Sequence, residues 1–114
     1  IPIKTDDRLK EMSFGSYEGT ANCITTPSCP IKDLFLDPAN YKVPKDGGES
    51  FEQLFARTGE FLKEVVKPQL DEGKDVLIVG HGAMNSSIIC QVKGIPLSEF
   101  WSAGIENCKL KRIL

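Results

Sequence analysis

The residue best equipped for chemistry is His81, the only histidine in the sequence. It stands in "VLIVGHGAMNSS", residues 76 to 87, where a continuous apolar run ends in Gly80-His81-Gly82 and a helix-like pattern begins. In open α/β sheets, ligands bind beyond the carboxyl ends of the strands, where loops and helix N-termini gather. Gly82 lets the backbone come close to a ligand, and a helix start offers unpaired N–H groups at the positive end of its dipole. This combination predicts an anion pocket with phosphate as its occupant, in which His81 donates a hydrogen bond to a phosphoryl oxygen. Two other readings compete on the residues alone. A lone histidine at a strand end is often structural, and Gly80-x-Gly82-x-x-Asn85 imitates a loose dinucleotide-binding turn. The second lacks the acidic strand end expected about 20 positions on, where the chain has "GIPLSEFW" instead.

The elements that must hold this turn can be read outward from it. Val76 to Val79 is apolar without interruption, as in a strand buried on both faces of a parallel sheet. A largely uncharged helix is predicted from about Met84 to Lys93, ended by Gly94 and Pro96. Upstream, Ser50 and Gln53 stand three apart as a capping box. They start a helix whose Phe51, Leu54, Phe55, Leu62 and Val65 share one face, leaving Glu52, Arg57, Lys63 and Glu64 mainly to solvent. Pro68 weakens any continuation, and "DEGKD" turns the chain. The opening "IPIKTDDRLKEMSFGSYEG" reads as a strand running into an ordered loop, and the closing "CKLKRIL" as a half-alternating strand. Residues 20–48 carry Pro27, Pro30, Pro38 and Pro44 and read mostly as loop, with a short helix near "IKDLFLDP" stopped by Asp37-Pro38. Helix, strand, helix and strand-like tail predict an α/β fold, a layered sheet with helices on both faces.

At 114 residues and 40% hydrophobic content the chain is one small domain or a piece of one. Its net charge of −2 argues against nucleic acid or membrane surfaces held by bulk electrostatics, but not against a small anion. No apolar run is long enough for a membrane span and no signal-peptide pattern is visible, which predicts a cytoplasmic protein. Cys23, Cys29, Cys90 and Cys108 form no CxxC pair and have no second histidine beside them, so buried thiols are expected rather than a zinc site or a disulfide framework. The chain begins with isoleucine and stops inside a strand-like pattern, and both ends read as cut.

Three stretches together resemble the histidine phosphatase superfamily, the phosphoglycerate-mutase-like fold. "RLKEMSFGSYEG" (Arg8 to Gly19) is similar to its L-x-E-x-x-F-G-x-W-E-G segment, "DGGESFEQLFAR" (Asp46 to Arg57) to its G-G-E-S helix start, and "VLIVGHGAMNSSIICQVKGIPLSEFW" (Val76 to Trp101) to its strand, S-H-G-G turn and helix. The resemblance implies phosphoryl transfer through a phosphohistidine, with no metal or other cofactor. It places His81 as the second, phosphate-holding histidine and Glu11 as the proton donor, with the backbone of Gly82 and Ala83 lining the pocket. A carboxyl group beside an anionic substrate can keep a proton to give away. Without the resemblance Glu11 reads as a solvated loop carboxylate, and Glu18 is an alternative acid in the same loop. Glu49 and Ser50 have a structural explanation in the capping turn. Arg8 and Arg57 are not assigned to phosphate, Arg57 because it falls on the outer side of its helix.

The family's R-H-G nucleophile and its S-x-L-x-R-A-x-x-T-A segment have no counterpart here, and in the family both lie ahead of the "RLKE" stretch. Gly80, Ala83 and Ser86 depart from the usual serine, glycine and arginine. The expectation is therefore a partial histidine-phosphatase-like domain over 1–114, apparently without the N-terminal strands, with 20–48 as a substrate loop or lid. Its parent would be a phosphatase acting on a small phosphorylated metabolite, with phosphoglycerate mutase as the alternative. The rival is a non-catalytic phospholigand binder or degenerate copy. One histidine and a few N–H groups compensate a phosphate's charge poorly, so the chain alone is expected to be an inactive fragment. Exposed apolar sheet edge predicts a paired assembly, a homodimer.

Overall fold

The computed structural model describes residues 2–19 and 28–114. Its centre is a pair of packed helices. The first begins at Ser50, whose hydroxyl accepts from Gln53 N (3.0 Å) while the Gln53 side chain accepts from Ser50 N (2.9 Å). The predicted capping box is thus formed, and it starts a helix over Phe51–Phe61. The chain does not stop at Pro68. A π-helical stretch over Leu62–Val66 leads directly into Lys67–Asp71, with the proline in the first turn of that last piece. The widened turn and the first-turn position accommodate a residue that has no N–H to donate. We label the helices α1 (Lys32–Leu36), α2 (Phe51–Phe61), α3 (Lys67–Asp71) and α4 (Gly82–Lys93). α1 ends at Asp37-Pro38 as expected, and α4 ends at Gly94, whose φ of 67° supplies the left-handed cap.

α4 is largely sheltered, with Ala83, Met84 and the run from Ser86 to Cys90 buried. Two of its polar side chains reach α2. Ser87 Oγ and Gln91 Nε2 both lie within hydrogen-bond distance of Thr58 Oγ1 (3.1 and 2.8 Å), and Thr58 itself donates to Leu54 O (2.9 Å). Buried hydroxyls joined in this way avoid the desolvation cost of an unmet partner and fix the register of α4 against α2. Around the pair, Met12, Ile31, Leu34, Phe51, Leu54, Ile89 and Phe100 form the core. Phe100 is fully buried, edge-on to Phe51 (4.7 Å) and to Trp101 (4.9 Å), and Trp101 Nε1 donates to Leu34 O (2.7 Å). Removing a ring so enclosed would cost roughly 3–5 kcal/mol.

The layered α/β sheet is not found: no strand occurs among the described residues. The predicted strand at 76–79 is irregular chain, and Leu77 and Val79 are 72% and 79% exposed while Val76 and Ile78 are half-buried. This two-residue alternation is what a strand would show, but a strand exists only with a neighbour that completes its ladder. No described segment pairs with it. The same holds at the ends. The opening stretch forms short 3-10 turns at Asp7–Leu9 and Gly15–Tyr17 with Ile3 fully out in solvent, and the closing segment is coil with Leu110 and Leu114 exposed. The thiol expectation also needs correction, because Cys29 is disulfide-bonded. Cys90 and Cys108 are free, and burial pushes the Cys90 thiol up, away from reactivity. Cys23 lies outside the described residues, as do 20–27 of the expected lid. No helix among the described residues is long and apolar enough to cross a membrane.

Candidate functional site

His81 is the N-cap of α4, with extended backbone (φ −108°, ψ 170°), and its carbonyl accepts the first helical bond from Asn85 N (2.8 Å). Its ring does not cap the helix, makes no hydrogen bond among the described residues and is exposed. A ring so placed is open to a ligand. Gly82, also exposed, is the first helical residue, and nothing described accepts from its amide.

The next two amides are taken. Glu11, 72 residues upstream, accepts from Ala83 N through Oε2 (3.1 Å) and from Met84 N through Oε1 (2.9 Å). Oε1 also accepts from the residue's neighbour, Met12 N (2.8 Å). A side chain at position 82 would meet the same carboxylate, since a Cβ there would lie 3.8 Å from Oε2. A carboxylate at a helix N-terminus satisfies donors that have no partner within the helix and meets the positive end of its dipole. The chain thus brings Glu11 directly to the turn that carries His81. The alternative acid is not there: Glu18 is exposed and its carboxylate accepts from Phe14 N at 3.3 Å.

Glu11 is held from behind by a residue that sequence reasoning placed in solvent. Arg57 points inward, its side chain only 22% exposed. Its Nε and Nη2 pair with the two oxygens of Glu49 (2.6 and 2.9 Å), Nη1 donates to Arg8 O (2.7 Å) and Nη2 to Glu11 O (3.3 Å). Glu49 N in turn donates to Ser13 O (2.9 Å). The loop at 13–16 and the turn at 46–48 touch backbone to backbone. A side chain at Gly48, whose φ is +82°, would run into Ser13 O and Gly15 N. Arg8 lies outside this cluster's centre. Its guanidinium binds Asp6, Glu60 and Glu64 and covers the Phe61 ring. Those hydrogen bonds hold Asp6 below the usual carboxylate range and Arg8 above its ordinary one.

Of the departures from the family pattern, Gly80 faces the flexible terminal methyl of Met84, and Ser86 is buried. Among the described residues, no group of three His, Cys, Asp or Glu is arranged to hold a metal ion.

An exposed imidazole thus stands at the head of a buried helix, and a distant loop anchors a carboxylate to the first turn of that helix. The sequence matches the histidine phosphatase superfamily (branch 1) over residues 1–114, and the chain belongs to that family. Among curated proteins it is similar to phosphoserine phosphatase 1 of Hydrogenobacter thermophilus, at 36% identity over 94% of this chain and 50% of the relative. It is also similar to the 2,3-bisphosphoglycerate-dependent phosphoglycerate mutases of Cytophaga hutchinsonii (30% identity, 72% of this chain, 38% of the relative) and Methanococcus vannielii (29%, 86% and 42%). The chain spans about half the length of the first relatives it matches. No solved structure matches it significantly.

Proposed function

We propose that this chain supplies the phosphate-holding histidine and the proton donor of a metal-independent phosphatase acting on a small phosphorylated metabolite. The observation that carries the reading is the pair of bonds from Ala83 N and Met84 N to Glu11, which bring its carboxylate to the helix turn that His81 heads. In the proposed reaction a histidine outside this chain attacks phosphorus and the bond to the leaving oxygen breaks. His81 and the Gly82 amide hold the phosphoryl oxygens, Ala83 lines the pocket, and the Glu11 carboxyl gives its proton to the leaving alkoxide. Water then displaces the nucleophilic histidine, its proton returns to Glu11, and inorganic phosphate leaves. Residues 28–48 would form part of the wall that selects the substrate. Phosphatase is preferred over mutase because the relatives of higher identity carry phosphatase names.

The test is acid-labile phosphate. The full-length protein given a 32P-labelled phosphodonor should acquire label that alkali preserves and acid removes, and His81→Ala should reduce its rate of acquisition by 100-fold or more. The 114-residue chain alone should take up none. Labelling of the chain alone would overturn the division of roles. Undiminished labelling of His81→Ala would remove its assignment.

A further inference from the structure

We propose that Arg57 is a positioning residue for Glu11, kept in place by Glu49; this rests on the reading of Glu11 as proton donor. A guanidinium offers five N–H donors in a rigid plane. Here one edge is committed to the Glu49 carboxylate and the other to the carbonyls of Arg8 and Glu11. The backbone is thereby fixed before the acid, at residue 8, and at the acid itself, and Glu49 N fixes it beyond, at Ser13. From this anchored stretch the Glu11 side chain reaches the first turn of α4.

The two charges are 22% and 15% exposed, so they are held largely out of water. A half-buried ion pair is poor evidence for stability, because apolar residues of like volume often serve as well. What it supplies is directional bonding, and this pair aims its bonds at the carbonyl of the acid itself. A lysine would keep the charge and lose the fork. Misplacing a reacting group by about 1 Å can cost a factor of ~100 in rate.

The test compares two phosphate monoesters in the full-length protein. β-Glycerophosphate has a basic leaving oxygen that needs a proton, whereas p-nitrophenyl phosphate has a weakly basic one that does not. Arg57→Lys should lower kcat on β-glycerophosphate about tenfold or more, and on p-nitrophenyl phosphate by less than about threefold, with KM for both within about twofold. Glu11→Gln should show the same selectivity, larger. If Glu11→Gln is selective and Arg57→Lys slows both esters equally or neither, the positioning role is overturned while the acid assignment stands. If Glu11→Gln slows both equally, or if the full-length protein hydrolyses neither ester, the acid reading fails and takes the inference with it. Should Arg57→Lys not fold, Glu49→Gln reads the same selectivity, since it loosens the fork from the other side.

Discussion

Replacing Glu11 by glutamine changes little in volume and much in bonding. The amide oxygen can take the place of Oε1 and keep the N–H groups of Met12 and Met84. The amide nitrogen then stands where Oε2 was, with its hydrogens facing the N–H of Ala83. Ala83 is 1% exposed, so water does not replace the lost acceptor. One hydrogen bond to a charged group is worth about 1.5–3 kcal/mol, and a negative charge at a helix N-terminus about 0.3–1 kcal/mol more. Glu11→Gln should therefore destabilise the protein by about 2–4 kcal/mol, read from urea unfolding followed by circular dichroism. Glu18→Gln, at an exposed carboxylate that keeps an acceptor for Phe14 N, should stay within about 0.5 kcal/mol and serves as the control. Raising the salt should shrink only the smaller, dipolar part of the Glu11 effect. A Glu11→Gln protein as stable as its parent would show that the carboxylate does not cap α4, and the site as built here would be wrong.

Gly48→Ala puts a Cβ into Ser13 O and Gly15 N at a positive φ, and should cost more than about 2 kcal/mol in the same unfolding assay. Tyr41→Phe should be neutral or stabilise by up to about 1 kcal/mol, because the buried Tyr41 hydroxyl has no partner among the described residues; a loss above about 1 kcal/mol would show that the hydroxyl is bonded. Burial, reinforced by Tyr17, also pushes the Tyr41 phenol up, so its ultraviolet titration should lag behind that of free tyrosine. Asp6 is held down by its side-chain bonds to Arg8, so its contribution is present above its unfolded pKa, near 3.8, and is lost as pH falls through the lower folded value. Asp6→Asn should flatten that part of the acid limb of urea stability; an unchanged limb would refute the pairing.

What was legible in the chain was whatever its own local chemistry decides. Ser50 and Gln53 cap a helix wherever that helix packs, Gly94 ends one by adopting a conformation that costs other residues more, and Asp37-Pro38 stops α1 by the geometry of one ring. The sheet was not legible in this sense. Val76 to Val79 carries strand composition, but a strand is a property of two segments, and composition in one cannot supply the N–H and C=O groups of the other. Pro68 misled for the opposite reason. A local rule predicted a weakened continuation, and a π-helical turn just upstream absorbed the missing donor.

Arg57 is the instructive failure, because the signal was present. Leu54, Arg57 and Phe61 stand at i, i+3 and i+7, and both apolar members are buried, so the helical period puts residue 57 on the edge of the buried stripe. Its charge favours solvent and the helical period favours the interior. The conflict has a physical resolution. A guanidinium on a buried stripe must be met by a carboxylate and by carbonyls, or the helix would not pack there. Eight residues earlier, at the entrance to the same helix, stands Glu49. Once the two are paired, the remaining donors of the fork must find acceptors nearby. They find the backbone of the loop that carries Glu11, so the residue that looked least connected to the site is the one that ties α2 to it.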